Sequence, residues 1–329
     1  MLTFVDLFCG GGFGARGAVR GGGLPLLAVD AWEMATTTYK ANFPSAEVKT
    51  ARIEDLVPTD LAKEYKPDVL LTSPECTAHS IARGAKPGKE SSRASALGIV
   101  DWIQAMKPRW VIVENVNRMK KWNRHNELVA SIEGENYIVS DLYLNAWDFG
   151  SAQARKRMFL ICSRDGHRIT REDLLSQTKI QFRTAKDIIN WESGYKSRPL
   201  QSPGRAKPTL ERAQRAVAAL GKNIPFLIVY YGSDYAGGWQ SLDSPLRTIT
   251  TLDRFGLVTW ECGQPYLRML QPDELKKGMG GGDDHELPSG SRREQVKLCG
   301  NGVCSEVLES IFKRITAVEQ TKKNRGQAA

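Results

Sequence analysis

The sequence predicts an α/β fold, a doubly wound, mostly parallel sheet with helices on both faces and a smaller second part. Three observations predict it. Over roughly the first 160 residues, short apolar runs alternate with helical stretches. The first apolar run passes directly into a glycine cluster, Gly10-Gly11-Gly12-Phe13-Gly14. Beyond that half, the pattern breaks into a stretch rich in Arg, Lys, Ser, Pro and Gly. This divides the chain into a larger part at 1–165 and 285–329 and a smaller part at 166–284.

The elements follow in order. A strand is predicted over 2–8, and a second over 24–29 closes at Asp30. A helix over 32–42 stops before Pro44. A strand over 69–72 runs into Ser-Pro-Glu-Cys. A helix over 95–106 ends at Lys107-Pro108, and a strand over 110–113 ends at Glu114-Asn115. A helix over 127–133 and strands over 138–145 and 158–162 complete the half. From 177 to 260 basic residues such as Arg183, Arg205, Arg212 and Arg215 lie among Trp191, Tyr195, Tyr230 and Trp239. That mixture suits phosphate contact with base or sugar packing, and equally a solvated face. A strand is predicted over 225–231, a flexible turn over 279–284, an amphipathic helix over 303–318 and a frayed tail over 321–329.

Composition narrows the function. The chain has 329 residues, 41% hydrophobic and 25% charged, which excludes wholesale disorder. Its 46 Lys and Arg exceed 37 Asp and Glu, for a net charge of +9. That balance favours a polyanionic partner, nucleic acid first, although charge alone does not separate this from a merely basic protein. Six cysteines are too sparse for a disulfide scaffold. None forms a Cys-x-x-Cys pair and the four histidines are scattered, so no metal site is expected. The start carries an acid at Asp6 and no basic segment, unlike a signal peptide, and no apolar run reaches bilayer length. A cytoplasmic protein is expected.

Four segments carry chemistry. In Asp6-Leu7-Phe8-Cys9-Gly10-Gly11-Gly12, a strand tip meets glycines that let backbone approach a ligand. Asp30, closing the next strand, is placed to bind a ribose diol. In Ser73-Pro74-Glu75-Cys76-Thr77, Cys76 stands at the carboxyl end of an internal strand, where a thiolate is a nucleophile. His79, three residues on, has no assigned role. Glu114 ends a buried strand, and desolvation there keeps a carboxyl partly protonated near neutrality, as a general acid requires. Arg155 and Arg157 flank one residue before a strand and can share a side, to orient a carboxylate or grip a base carbonyl. Each feature alone also reads as ordinary structure: a tight joint, a buried thiol, a strand-end acid, surface cations.

In this order the segments resemble the cytosine-carbon-5 methyltransferase family. The matching pieces are Asp6-Leu7-Phe8-x-Gly10-x-Gly12, Pro74-x-Cys76 through Ser80, Glu114-Asn115-Val116 and Gln153-x-Arg155-x-Arg157. Ser244 through Thr251, Tyr266 through Leu275 and Cys299-Gly300-Asn301-Gly302-Val303 extend the likeness over nearly the whole chain. Two departures stand out. Glu75 and Thr77 flank Cys76 where the family usually has Pro and Gln. Ala51-Arg52-Ile53 replaces the usual Gly-Asp-Ile, so the acid that meets the cofactor's adenine is missing, with Glu54 or Asp55 as substitutes.

The resemblance implies S-adenosylmethionine as cofactor, bound by Phe8, Gly10, Gly12, Asp30, Ile53, Pro74, Asn301 and Val303. It implies a flipped cytosine of double-stranded DNA as substrate. Cys76 is then the nucleophile, Glu114 the acid, and Arg155 with Arg157 the base-holding pair. A monomer is expected, with a partner nuclease or a downstream modifying enzyme left open. The alternatives are an RNA-directed member, a member transferring another carbon-5 substituent, a weakened DNA-binding homologue, and a dinucleotide-dependent oxidoreductase. The last does not account for Glu-Asn-Val and Gln-x-Arg-x-Arg in order.

Overall fold

The structure, a computed structural model, describes residues 1–74, 90–117, 119, 124–177, 180–231 and 234–327. The first half contains β1 (Leu2–Leu7), α1 (Phe13–Arg20), β2 (Gly23–Asp30), α2 (Glu33–Asn42), β3 (Glu47–Thr50), α3 (Pro58–Glu64), β4 (Val69–Thr72), α4 (Glu90–Met106), β5 (Trp110–Val116), α5 (His125–Gly134), β6 (Ile138–Asn145), β7 (Gln153–Ala154) and β8 (Lys156–Ser163). Then come α6 (Arg171–Leu175), β9 (Arg198–Pro199), α7 (Lys207–Leu220), β10 (Phe226–Val229), β11 (Trp239–Ser241), β12 (Leu246–Arg247), β13 (Phe255–Glu261), β14 (Gln264–Met269), α8 (Pro272–Gly278), α9 (Arg292–Asn301) and α10 (Ser305–Gln327).

Among the described residues the main sheet has seven strands, ordered β3-β2-β1-β4-β5-β8-β6. The first five in that order run parallel, and β8 lies antiparallel between β5 and β6. The central strands are apolar on both faces because helices cover both. Phe4, Val69, Leu71, Trp110 and Ile112 point into one core with α1 and α10. Their neighbours Val5, Leu7, Leu70, Val111 and Val113 point into the other, with Ile99, Trp102 and Ile103 of α4. Each such side chain contributes about 1.5–3 kcal/mol on burial. The contact of α1 with α10 is close enough to require glycine: a Cβ at Gly17 would stand 2.0 Å from the Ser305 carbonyl oxygen.

A second sheet, β11-β10-β13-β14-β9, is antiparallel and is built from residues 198–269. Its core packs Phe226, Ile228 and Val258 on Ala213 and Ala216 of α7. The short strand β12 leaves this region to pair in parallel with β7, beside the catalytic segment.

Three expectations are corrected. The tail does not fray at 321: α10 continues to Gln327, and Lys322 bonds Asp165 and Glu319, whose carboxylate also accepts from Trp110 Nε1. The 279–284 turn is not a free loop at its start, since Met279 is fully buried and Gly281 packs against Phe13 and Lys276. The basic stretch holds a helix of 14 residues, α7, besides its short strands; the apolar stripe Ala213, Ala216 and Val217 is thin and lies between charged residues. Among the described residues no helix is long and apolar enough to cross a membrane.

Candidate active site

Parallel strands leave their carboxyl ends at one edge, and the order reverses at β1, between β2 and β4. A crevice opens there, where doubly wound sheets take ligands. The chain leaves β1 through left-handed backbone: φ is +59° at Phe8, +52° at Gly10 and +81° at Gly12. Nothing stands within 4 Å of where a Cβ on Gly10 would be, so this glycine faces open space. The crevice is lined by Asp6, Phe8, Gly10, Phe13, Ser73 and, from the chain's far end, Asn301 and Val303. Tertiary structure thus joins two segments almost 300 residues apart.

The other expected cofactor residues stand around this crevice. Gly12 packs on Tyr39 and Phe43, shaping the turn. Asp30 accepts hydrogen bonds from the backbone N–H groups of Gly10 and Trp32, both at 2.9 Å, one on each carboxylate oxygen. It therefore ties the first two strand tips together, and each oxygen keeps a further lone pair for a ligand. Ile53 belongs to the apolar cluster on which Phe8 packs. The Pro74 carbonyl accepts from Asn115 Nδ2 at 3.2 Å.

Electrostatically the crevice suits a cation. Burial pushes the Asp6 carboxyl well above the usual carboxylate range, and the nearby Asp30 pushes it further. Burial likewise raises Asp30. Among the described residues Asp6 forms no ion pair, so a bound sulfonium and ammonium group would supply compensation that the protein lacks. The residues present fit S-adenosylmethionine on this ground and on the open space beside Gly10.

Two strands away, Glu114 is buried on β5 with 7% exposure. Burial raises its pKa, while Arg157 and then Arg155 pull it back. The Arg157 Nε lies 3.2 Å from its Oε1. The pair arises from register: β5 and β8 are antiparallel, setting Val116 opposite Arg157 and Glu114 opposite Phe159. A carboxyl whose pKa burial raises, set beside a cation, can when protonated donate a hydrogen bond and stabilise developing charge.

The expected arginine pair divides. Arg155 is buried and donates to three backbone carbonyls: Ile249 at 2.9 Å, and Gly300 and Gly302 at 3.0 Å each. It holds the turn that carries Asn301 and Val303, while Arg157 reaches the acid. Cys76, its neighbours Glu75 and Thr77, and His79 lie outside the described residues.

Three supporting residues were not singled out from sequence. Asn115 binds the carbonyl two residues before Cys76, joining the strand of Glu114 to the segment that leads to Cys76. Asp6 is a buried acid of the crevice that forms no ion pair among the described residues. Gln153, fully buried, accepts from the Ile249 N–H at 2.7 Å and donates to the Gly278 carbonyl at 3.1 Å. All three stand inside the motifs quoted above; for Asp6 and Asn115 a polar residue closing an apolar run was the available signal, and for Gln153 there was none beyond its motif.

Comparison with known proteins agrees. The family model described as C-5 cytosine-specific DNA methylase matches residues 2–317. The Type II methyltransferase M.HgiDI of Herpetosiphon aurantiacus is 29% identical over 232 residues, 66% of this chain and 74% of that protein. The Type II methyltransferase M.HhaI of Haemophilus parahaemolyticus is 27% identical over 326 residues, 94% of this chain and 93% of its own. Among solved structures, DNMT2 of Spodoptera frugiperda shares the fold, with a TM-score of 0.70 at 17% identity, covering 96% of this chain and 100% of that one. A match across almost the entire length, laid over a crevice and an acid–arginine pair on one sheet edge, means that the chain belongs to the C-5 cytosine-specific DNA methylase family.

Proposed function

We propose the following division of labour in this S-adenosylmethionine-dependent DNA cytosine-5 methyltransferase. Phe8, Gly10, Phe13, Asn301 and Val303 line the cofactor crevice, with Asp6 and Asp30 supplying negative charge and Gly12, Ile53 and Pro74 shaping its walls. The cofactor supplies the electrophilic methyl group that carbon 5 of cytosine receives. The cytosine must leave the duplex, because its ring carbons are unreachable inside the stack.

Carbon 5 is a poor nucleophile until Cys76 adds to carbon 6. The thiolate's electron pair forms the sulfur–carbon bond, and the ring's electrons move toward carbon 5 and nitrogen 3. Glu114, protonated, hydrogen-bonds nitrogen 3 and stabilises that charge. Arg157 orients Glu114 and contacts the base, and Arg155 fixes the 300–303 turn. Afterwards a base removes the carbon-5 proton and the Cys76 thiolate departs. Residues 166–284 form the target-recognition part, which takes double-stranded DNA. The Type II names of the relatives favour a restriction–modification role. We read the protein as a monomer.

The single observation that carries this reading is the buried Glu114–Arg157 pair, formed between β8 and β5, the strand next to the one that leads to Cys76. The test is a covalent trap. Target sites are first found by mapping modified cytosines in DNA from cells expressing the protein. Duplexes with 5-fluorocytosine at such a site, incubated with S-adenosylmethionine, are expected to give a gel-shifted complex that survives denaturation. Fluorine cannot leave as a proton does, so elimination stalls. Cys76→Ser should give no such band while still binding DNA. Absence of the band with active wild-type protein, or its persistence in the Ser variant, would remove Cys76 as nucleophile.

A further inference from the structure

The segment that joins α8 to α9 is strapped across the crevice's outer wall. Arg16 of α1 forms a two-pronged ion pair with Asp284, through Nη1 at 2.9 Å and Nη2 at 2.5 Å. Asn42 of α2 exchanges two hydrogen bonds with the Glu286 backbone, and Lys276 of α8 donates to the His285 carbonyl at 2.7 Å. Between these fastenings lies His285, fully buried. Its ring stacks on Phe13, centroid to centroid 4.4 Å at 30°. Phe13 in turn lines the crevice, wedged against Gly302 and Gly281.

Neither nitrogen of the His285 ring has a hydrogen bond of ordinary geometry among the described residues. Burial, then Arg16 and Lys276, hold its pKa down to about 3, against a smaller opposite effect of Asp284 and of the Gly11 backbone. The imidazole is therefore neutral at working pH and contributes a flat ring, not a charge. A buried polar ring whose hydrogen bonding is this poor costs free energy, so what it gains must lie in packing.

We infer that His285 is a positioning residue for cofactor binding: its ring pins Phe13 and so sets the width of the S-adenosylmethionine crevice, with the Arg16–Asp284 latch holding it there. The inference rests on the functional reading above. It also gives the segment that leads out of the recognition half, through α8, a direct mechanical contact with the cofactor wall.

The test is calorimetric titration of full-length protein with S-adenosylmethionine, alongside DNA affinity and circular dichroism. His285→Ala is expected to weaken cofactor binding about tenfold, as loss of a packed ring would, with DNA affinity unchanged. His285→Phe, a ring without nitrogens, is expected to restore binding to within about twofold of wild type. Wild-type cofactor affinity in folded His285→Ala overturns the inference, as does a His285→Phe variant as weak as His285→Ala. If His285→Ala does not fold, Asp284→Ala carries the test, with about threefold weakening expected and unchanged affinity counting against the proposal. Wild-type protein that binds no S-adenosylmethionine would instead strike at the functional reading itself.

Discussion

Two buried acids, one beside each sheet, are treated in opposite ways. At the main sheet's carboxyl edge, Asp6 is buried without an ion pair among the described residues, and burial raises Asp6, Asp30 and Glu114 alike. Next to the smaller sheet, Glu274 is fully buried but completely satisfied. Arg268 on β14 grips it with two bonds of 2.7 Å, and the N–H groups of Asn190 and Gln271 complete the set. Farther out, Asp234 sits at the surface between Arg212 and Arg215, which hold its pKa below the usual range. Glu274, with all its partners in place, serves structure. An uncompensated acid stores a demand that a ligand or a proton meets, which is what binding and catalysis need.

Four substitutions probe that contrast, and the largest effect belongs to Glu114. Glu114→Gln keeps a hydrogen-bond donor and removes the proton-bearing acid. Turnover is expected to fall roughly 10²–10⁴-fold, with cofactor affinity held. Single-turnover methylation with a parallel binding titration measures both. An unchanged rate would make Glu114 a structural acid like Glu274.

The next separates the two arginines. Arg155→Ala leaves three buried carbonyls without their donor, and is expected to cost about 3 kcal/mol or more of stability by denaturant unfolding. Arg157→Ala should cost far less stability and instead move the pH profile. Arg157 is the larger influence lowering the Glu114 pKa against burial. Its removal raises that pKa, so the protonated, donating form persists to higher pH. The alkaline fall in kcat then shifts upward, even as the maximal rate drops. A downward shift, or none, would show that Arg157 does not tune the acid.

The smallest concerns the surface. Asp234→Asn should leave folding nearly unchanged and free Arg212 and Arg215 for phosphates. Plotting log affinity for DNA against log salt, the slope is expected to steepen by about one to two. An unaltered slope would place that face away from DNA.

Sequence alone determined the strand order of chemistry. Apolar runs closing on Gly10, Asp30, Glu114 and Asn145 are local signals, because a strand buried on both faces must be apolar and the residue ending it is released to the crevice. The structure places β4 and β6 at the predicted residues and carries β5 past the predicted end, through Glu114 to Val116. Pairing depends on register, and register is invisible locally. Nothing in Gln153-Ala154-Arg155-Lys156-Arg157 says that one guanidinium reaches carbonyls at 249, 300 and 302 while the other reaches Glu114. The helix α7 escaped notice because the only apolar residues it buries fully are two alanines, Ala213 and Ala216, and its proof is the sheet beneath. Asp30 shows the division within one side chain. Its place at a strand end and its local bond to Trp32 belong to its own turn, but its bond to Gly10 exists only once the first two strand tips are packed together. Side-chain type and spacing set which groups stand at the edge; packing and its demand for satisfied partners set which of them remain available to act.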